Sequence, residues 1–366
     1  MKTNRLNEIL NRISSDTWPE RFTELVREHL GIDLETTYGP RRLSHPVMVA
    51  PGQLTLRESQ VMKIKRSGYA GCVLKSLVGE DQKGHCSMSF QRKKATWINT
   101  VYAEHDQLGR YPIIHWDGRA DTRNLEDYLV FAKQTHWLDG PDFFIAASLL
   151  CHLPGPDEEF RQEEWHYSTK GLKEAGYQII EIDFCPSLKI GNSLSEKENV
   201  LRWYRTVPGL IKYVDPTIKV FPKLLNLDLG LDFQLEMAQA AVKGGADGLV
   251  VANRIFLSSL QLSHGGLELF QRNLTQVKEI HRLFPNLSLS ATGGIYSGRQ
   301  ILEYLLAGAK NVQLFSFLMG RVRTSFLLKT GHKFQQVLFE LFFNPEEGLL
   351  VLMIKKGFTN IRELLG

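Results

Sequence analysis

A chain of 366 residues, 43% of them apolar, is long enough for one large α/β barrel or for two domains and can bury a sizeable core. Lys and Arg number 44 against 40 Asp and Glu, a net charge of +4, too even a balance for a protein whose main partner is a nucleic-acid backbone. No apolar run is long enough to span a membrane, the opening Met1-Lys2-Thr3-Asn4-Arg5 lacks an apolar signal core, and Cys72, Cys86, Cys151 and Cys185 lack C-x-x-C spacing. These features predict a cytoplasmic protein without a thiolate metal centre.

Residues 1 to 30 read as two short helices outside the main fold, with Leu6, Ile9, Leu10 and Ile13 on one stripe and Phe22, Leu25, Val26 and Leu30 on another. From residue 45, short apolar runs alternate with amphipathic segments. Strands are expected at Pro46–Ala50, Gly71–Leu74, Phe143–Ala147, Gln178–Phe184, Ile218–Pro222, Gly248–Ala252, Leu287–Ser290 and Asn311–Leu314. Helices are expected at Leu56–Ser67, Asn124–Thr135, Phe160–Ala175, Leu231–Lys243, Leu267–Phe284 and Arg299–Ala307. The insertion Val78–Arg123 is long for a strand-to-helix loop and suggests a lid.

Eight strands alternating with helices, apolar throughout rather than at every second position, describe a parallel sheet buried on both faces. The count fits a (β/α)8 TIM barrel with an N-terminal helical extension (1–32), a barrel (33–320) and a C-terminal helical segment (321–366) packed on it. A G-x-G-x-x-G after an early strand is lacking, which argues against an open dinucleotide-binding sheet.

In such a barrel, chemistry belongs to the C-terminal ends of the strands. Those ends carry Ala50-Pro51-Gly52, Lys75-Ser76, Asp183, Lys223, Asn253, Gly293-Gly294 and Phe315-Ser316. Two turns rich in Gly or Ser, each running into a helix, offer backbone N–H groups to a phosphate. Two lysines in a confined mouth call for an anionic partner. A cofactor with an electron-rich ring and a phosphate tail would supply both.

These motifs resemble the dihydroorotate dehydrogenase family, with its dihydropyrimidine dehydrogenase relatives, which are FMN-binding (β/α)8 enzymes. The similarity runs through Asp33–Gly39, Pro46–Gly52, Val73-Leu74-Lys75-Ser76, Phe221-Pro222-Lys223-Leu224, Ala246–Asn253 and the stretch from Thr292-Gly293-Gly294 to Phe315-Ser316. The resemblance implies that Ala50 and Gly52 lie against the flavin ring. Lys75, with Ser76 beside it, reaches the flavin edge and the substrate, and Lys223 meets the N1/O2 side. Asn253 binds substrate or flavin, while Gly293, Gly294, Phe315 and Ser316 hold the phosphate. It implies Cys185, before Pro186, as the acid/base that acts opposite the flavin. Ser187 and Ser193 are fallback candidates.

The chain departs from that family at the fourth strand. The family ends it N-x-S-C-P-N; here it reads Ile182-Asp183-Phe184-Cys185-Pro186-Ser187, one residue shorter. Asp183 and Ser187 stand near the missing asparagines, and an ionised Asp accepts hydrogen bonds without donating them. Asn99, in Trp97-Ile98-Asn99, resembles a substrate-contacting asparagine. Phe315 replaces a frequent Gly. His85, His105, His115 and His152 lack metal-ligand spacing, so no metal is expected.

The expected activity is FMN-dependent hydrogen transfer at a C–C bond of a small cyclic or carbonyl-activated substrate. The partners are that substrate and an external electron donor or acceptor, and a homo-oligomer is compatible with the apolar C-terminus. Two alternatives stay open. One is an enzyme similar to the tRNA dihydrouridine synthases, against which the charge balance argues. The other is a non-catalytic barrel serving as a scaffold.

Overall fold

Eight strands form the centre of the molecule: β1 (Val47–Val49), β2 (Gly71–Val73), β3 (Phe144–Leu150), β4 (Ile179–Ile182), β5 (Lys219–Pro222), β6 (Gly248–Val251), β7 (Ser288–Thr292) and β8 (Asn311–Leu314). All neighbours pair in parallel, in the order β5-β4-β3-β2-β1-β8-β7-β6. A parallel bridge between Lys223 and Val250 brings the two ends of that row together. This computed structural model describes residues 22–92, 97–105, 109–117, 120–184, 193–257, 262–320 and 331–364. The fold is a (β/α)8 barrel, as the alternation of apolar runs and amphipathic segments predicts.

Both faces of the strands are buried: β1, β2, β3, β4, β6 and β8 expose no residue, and most of their side chains are apolar, with Ser148, Glu181, Asn311 and Gln313 as buried polar exceptions. Around them run α1 (Glu58–Arg66), α2 (Leu125–His136), α3 (Gln162–Glu174), α4 (Leu194–Val214), α5 (Gly230–Lys243), α6 (Leu269–Leu283), α7 (Gly298–Leu306) and the short α8 (Ser316–Met319). Side chains start several of them. The Asn124 side chain accepts from the Asp127 N–H at 2.8 Å, and Ser193–Glu196 and Ser297–Gln300 form capping boxes.

A hairpin of Thr36–Tyr38 and Arg41–Leu43 closes the barrel end opposite the rim. Tyr38 packs on Phe221, with ring centroids 4.6 Å apart, and on Phe144 at 5.3 Å. Met48, Val73, Ile179 and Val250 complete this apolar floor.

Three features differ from the expectation. α4, with 21 residues, occupies a stretch where the sequence shows no clear element; Pro208 inside it interrupts the helical signature. The long insertion is partly a hairpin, Trp97–His105 with Gly109–Asp117, rather than a loop. The chain after β6 makes a second excursion, Ile255–Leu257 and Leu262–Gly265, which pairs with that hairpin to give a four-stranded antiparallel sheet.

The helix Phe22–Leu30 buries Phe22, Val26 and Leu30. The Phe22 ring meets Phe342 at 4.7 Å and Phe343 at 5.9 Å, on the C-terminal helix α9 (Lys333–Phe343). α10 (Leu349–Lys356) packs beside α7, where Gly298 leaves room: a Cβ there would meet the Leu349 nitrogen at 2.0 Å. The first expected helix, with Leu6 and Ile13, lies outside the described residues, as does 321–330.

Candidate active site

The C-terminal ends of β1 and β5–β8 surround a pocket. Ala50, Lys223, Asn253, Gly293, Gly294, Phe315 and Ser316 all line it, and these are seven of the positions expected at a cofactor. The excursion sheet supplies Ile114 and Gly265 to the same pocket, and Arg254 follows Asn253 into it. The sheet is held there by Tyr296, whose hydroxyl donates to the Pro112 carbonyl at 2.6 Å.

The Gly-Gly turn has a backbone that only glycine adopts readily. Gly293 has φ +96° and Gly294 φ +68°, both in the left-handed region. A Cβ on Gly294 would lie 2.7 Å from the Phe270 nitrogen, and one on Gly293 2.5 Å from Asn273 Nδ2. The protein engages the turn through its carbonyls: Asn273 Nδ2 donates to Thr292 O at 2.7 Å and the Tyr304 hydroxyl to Gly293 O at 2.8 Å. Ser316 opens α8, and its hydroxyl donates to Gly265 O at 3.3 Å.

The two lysines converge. Lys223 is 5% exposed and its Nζ lies 3.4 Å from Glu181 Oε2. Lys75 is 4% exposed, and burial lowers its pKa to about 8, with the Arg254 charge acting in the same direction and Asp183 opposing it. Lys75 therefore holds its proton far more loosely than a surface lysine does.

Asp183 stands at the end of β4. Its carboxylate accepts from Ser76 Oγ at 3.0 Å and from Asn253 Nδ2 at 3.3 Å, and Ser76 Oγ lies 2.9 Å from Ser148 Oγ. Two expected substrate positions are thus tied directly to each other, with Ser76 beside them. Ser76 is turned into this buried network rather than lining the pocket.

Gly52 packs against the neighbouring rim residue Phe315. A Cβ on it would come within 2.3 Å of the Phe315 ring, so the glycine makes room for that phenylalanine. Asn99 is exposed on the outer strand of the hairpin, opposite His115, and is not among the residues lining the pocket. Cys185 and Ser187 lie outside the described residues. Of the histidines, His85 pairs with Asp81 at 2.9 Å, His152 with Glu158 at 2.9 Å, and the His115 ring tilts against His264 at 5.4 Å. Only the backbone of His105 is described. No cluster of three potential metal ligands occurs among the described residues.

Three groups escaped the sequence reading. Asn226 donates to Asn273 Oδ1 at 2.8 Å and to Asn253 O at 3.2 Å, so it braces the Asn253 end against the Gly-Gly turn. Arg254 adds a cation to the mouth. Glu181 lies within an otherwise apolar strand; a charge in such a run signals a buried partner.

The fold is a (β/α)8 barrel whose rim brings Lys223, Asn253, Arg254 and a left-handed glycine turn to one pocket, with the buried Lys75 on the same rim. The relatives narrow this further: the chain is similar over most of its length to the dihydroorotate dehydrogenases. It is 28% identical over 291 residues to dihydroorotate dehydrogenase A (fumarate) of Limosilactobacillus reuteri, covering 74% of this chain and 83% of that protein. It is 25% identical over 295 residues to the catalytic subunit of dihydroorotate dehydrogenase B (NAD(+)) of Methanocaldococcus jannaschii, covering 77% and 86%. The corresponding subunit of Pyrococcus horikoshii is 21% identical over 340 residues, covering 89% and 94%. No protein-family model matches the chain.

Proposed function

We propose that this chain is an FMN-dependent oxidoreductase acting on a C–C bond of a small dihydroorotate-like or dihydropyrimidine-like substrate. The observation that carries the reading is that Lys223, Asn253, Gly293, Gly294 and Ser316 line one pocket in a chain similar to dihydroorotate dehydrogenases. The residues present fit FMN: a left-handed Gly-Gly turn suits a phosphate, and Lys223 suits the electron-rich side of the ring. Bound FMN would supply the hydride acceptor.

The chain's own residues would do the rest. Lys223 stabilises negative charge at the ring edge. Lys75, buried on the same rim, would reach the flavin edge and the substrate. Asp183, held by Ser76 and Asn253, accepts hydrogen bonds from substrate N–H groups. Cys185, on the segment after β4, is the candidate acid/base that exchanges the proton of the second carbon. Electrons would pass to or from a partner outside this site.

The purified protein is expected to be yellow. Its flavin is expected to bleach under anaerobic conditions with one of a series of dihydropyrimidines and related cyclic amides. A preparation that is colourless and cannot be reconstituted with FMN overturns the reading. Flavin that no candidate bleaches would favour the scaffold alternative.

A further inference from the structure

Glu181 is fully buried in the middle of β4, between Ile180 and Ile182. A carboxylate there is costly unless it is paired and hydrogen-bonded. Its two oxygens are used differently. Oε1 accepts from the Tyr38 hydroxyl at 2.6 Å and from Gln313 Nε2 at 2.5 Å. Oε2 makes no hydrogen bond among the described residues and faces Lys223 Nζ at 3.4 Å.

The carboxylate is also anchored from several sides. Gln313 Nε2 donates to Ser290 Oγ at 3.1 Å, Ser290 donates to Asn311 Oδ1 at 2.6 Å, and Asn311 Nδ2 donates to Thr37 O at 2.9 Å. This chain of bonds joins β4, β7 and β8 to the hairpin that closes the barrel floor. Neutral donors hold one oxygen, and the other is left for the rim lysine. Stability alone does not call for this arrangement, since apolar residues of the same volume serve a barrel core as well or better. Lys223 and Gln313 both line the pocket, so the pair begins at its wall.

We infer that Glu181 is a positioning residue that fixes the Lys223 ammonium at the pocket floor and offsets part of its charge, setting how strongly the pocket favours a ring that gains negative charge. The inference rests on the FMN reading above. Glu181 acts through Lys223 without touching the cofactor. It limits the pull that an uncompensated lysine would exert on the reduced ring.

The test is the midpoint potential of the bound flavin in the wild type, Glu181→Gln and Tyr38→Phe. Removing the carboxylate charge is expected to raise the potential by at least about 30 mV, tenfold in the two-electron equilibrium constant. Tyr38→Phe takes a hydrogen bond from the same carboxylate but leaves its charge, and is expected to shift the potential by less than that. A flavin-loaded Glu181→Gln protein with an unchanged or lower potential overturns the inference, as does an equal rise in Tyr38→Phe. If Glu181→Gln does not fold, Glu181→Asp, which retracts the carboxylate from Lys223, is expected to raise the potential too, and no rise overturns the inference.

A wild-type protein that holds no flavin defeats the FMN reading but not the pairing. The pairing is then read from urea unfolding of Glu181→Gln, Lys223→Met and the double variant. The double variant is expected to be more stable than either single one, because each single change strands a buried partner. Single variants at least as stable as the double overturn it.

Discussion

At Gly294 one methyl group decides whether the Gly-Gly turn keeps its shape. Gly294→Ala places a Cβ in the left-handed region, which costs roughly 1–2 kcal/mol, and drives it against the Phe270 backbone. The expected result is weaker FMN binding with a modest loss of stability, measured by flavin fluorescence on titration and by urea unfolding. Lys75 gives a prediction in pH. Its pKa is lowered from 10.5 to about 8 in the folded protein, so between those values the unfolded chain binds the extra proton and stability rises with pH. Below pH 8 the buried ammonium is a burden of up to about 3 kcal/mol. Lys75→Met is therefore expected to be more stable than the wild type near pH 7, with the advantage shrinking as pH rises from 8 to 10.5 in urea unfolding. The rim residues were legible because strand ends are a fixed place in a barrel. Glu181 as the partner of Lys223, and Phe315 as the partner of Gly52, were not: the first depends on the register of β4 against β5 and the second on β8 pairing with β1.

Among the elements, the strands were the clearest in sequence because burial on both faces writes continuous apolar runs such as Gly248-Leu249-Val250-Val251. α4 was not legible, although Val200, Trp203, Tyr204, Val207 and Ile211 are buried at helical spacing. Pro208 and the charged first turn hide that face. The antiparallel sheet over the rim was hidden for another reason: its strands are only partly apolar and owe their pairing to segments about 150 residues apart, as Ile114 opposite Gly265 shows. The helix Phe22–Leu30 depends on its aromatic anchor. Phe22→Ala leaves a cavity between His45, Phe342 and Phe343, and is expected to cost about 3–5 kcal/mol in denaturant unfolding.

For the molecule as a whole, the hairpin over the barrel mouth belongs both to the core and to the pocket. Tyr111 and Ile113 are buried in the main apolar core, while Ile114 and Gly265 form part of the pocket wall. Replacing residues 97–117 by a short turn is expected to lower the thermal unfolding temperature, because it uncovers that part of the core, and to make FMN dissociate faster, as read by flavin release on dilution. No helix among the described residues is long and apolar enough to cross a membrane. By itself the sequence determined the eight-strand alternation, the rim positions and a glycine turn after the seventh strand, because burial period and glycine punctuation are local properties written residue by residue. Only the tertiary structure decided which rim groups meet: that Asp183 is shared by Ser76 and Asn253, that Glu181 lies under Lys223, and that a distant hairpin walls the pocket. Those pairings depend on strand register and on the closing of the sheet into a barrel, which set side by side residues that chain spacing alone leaves apart.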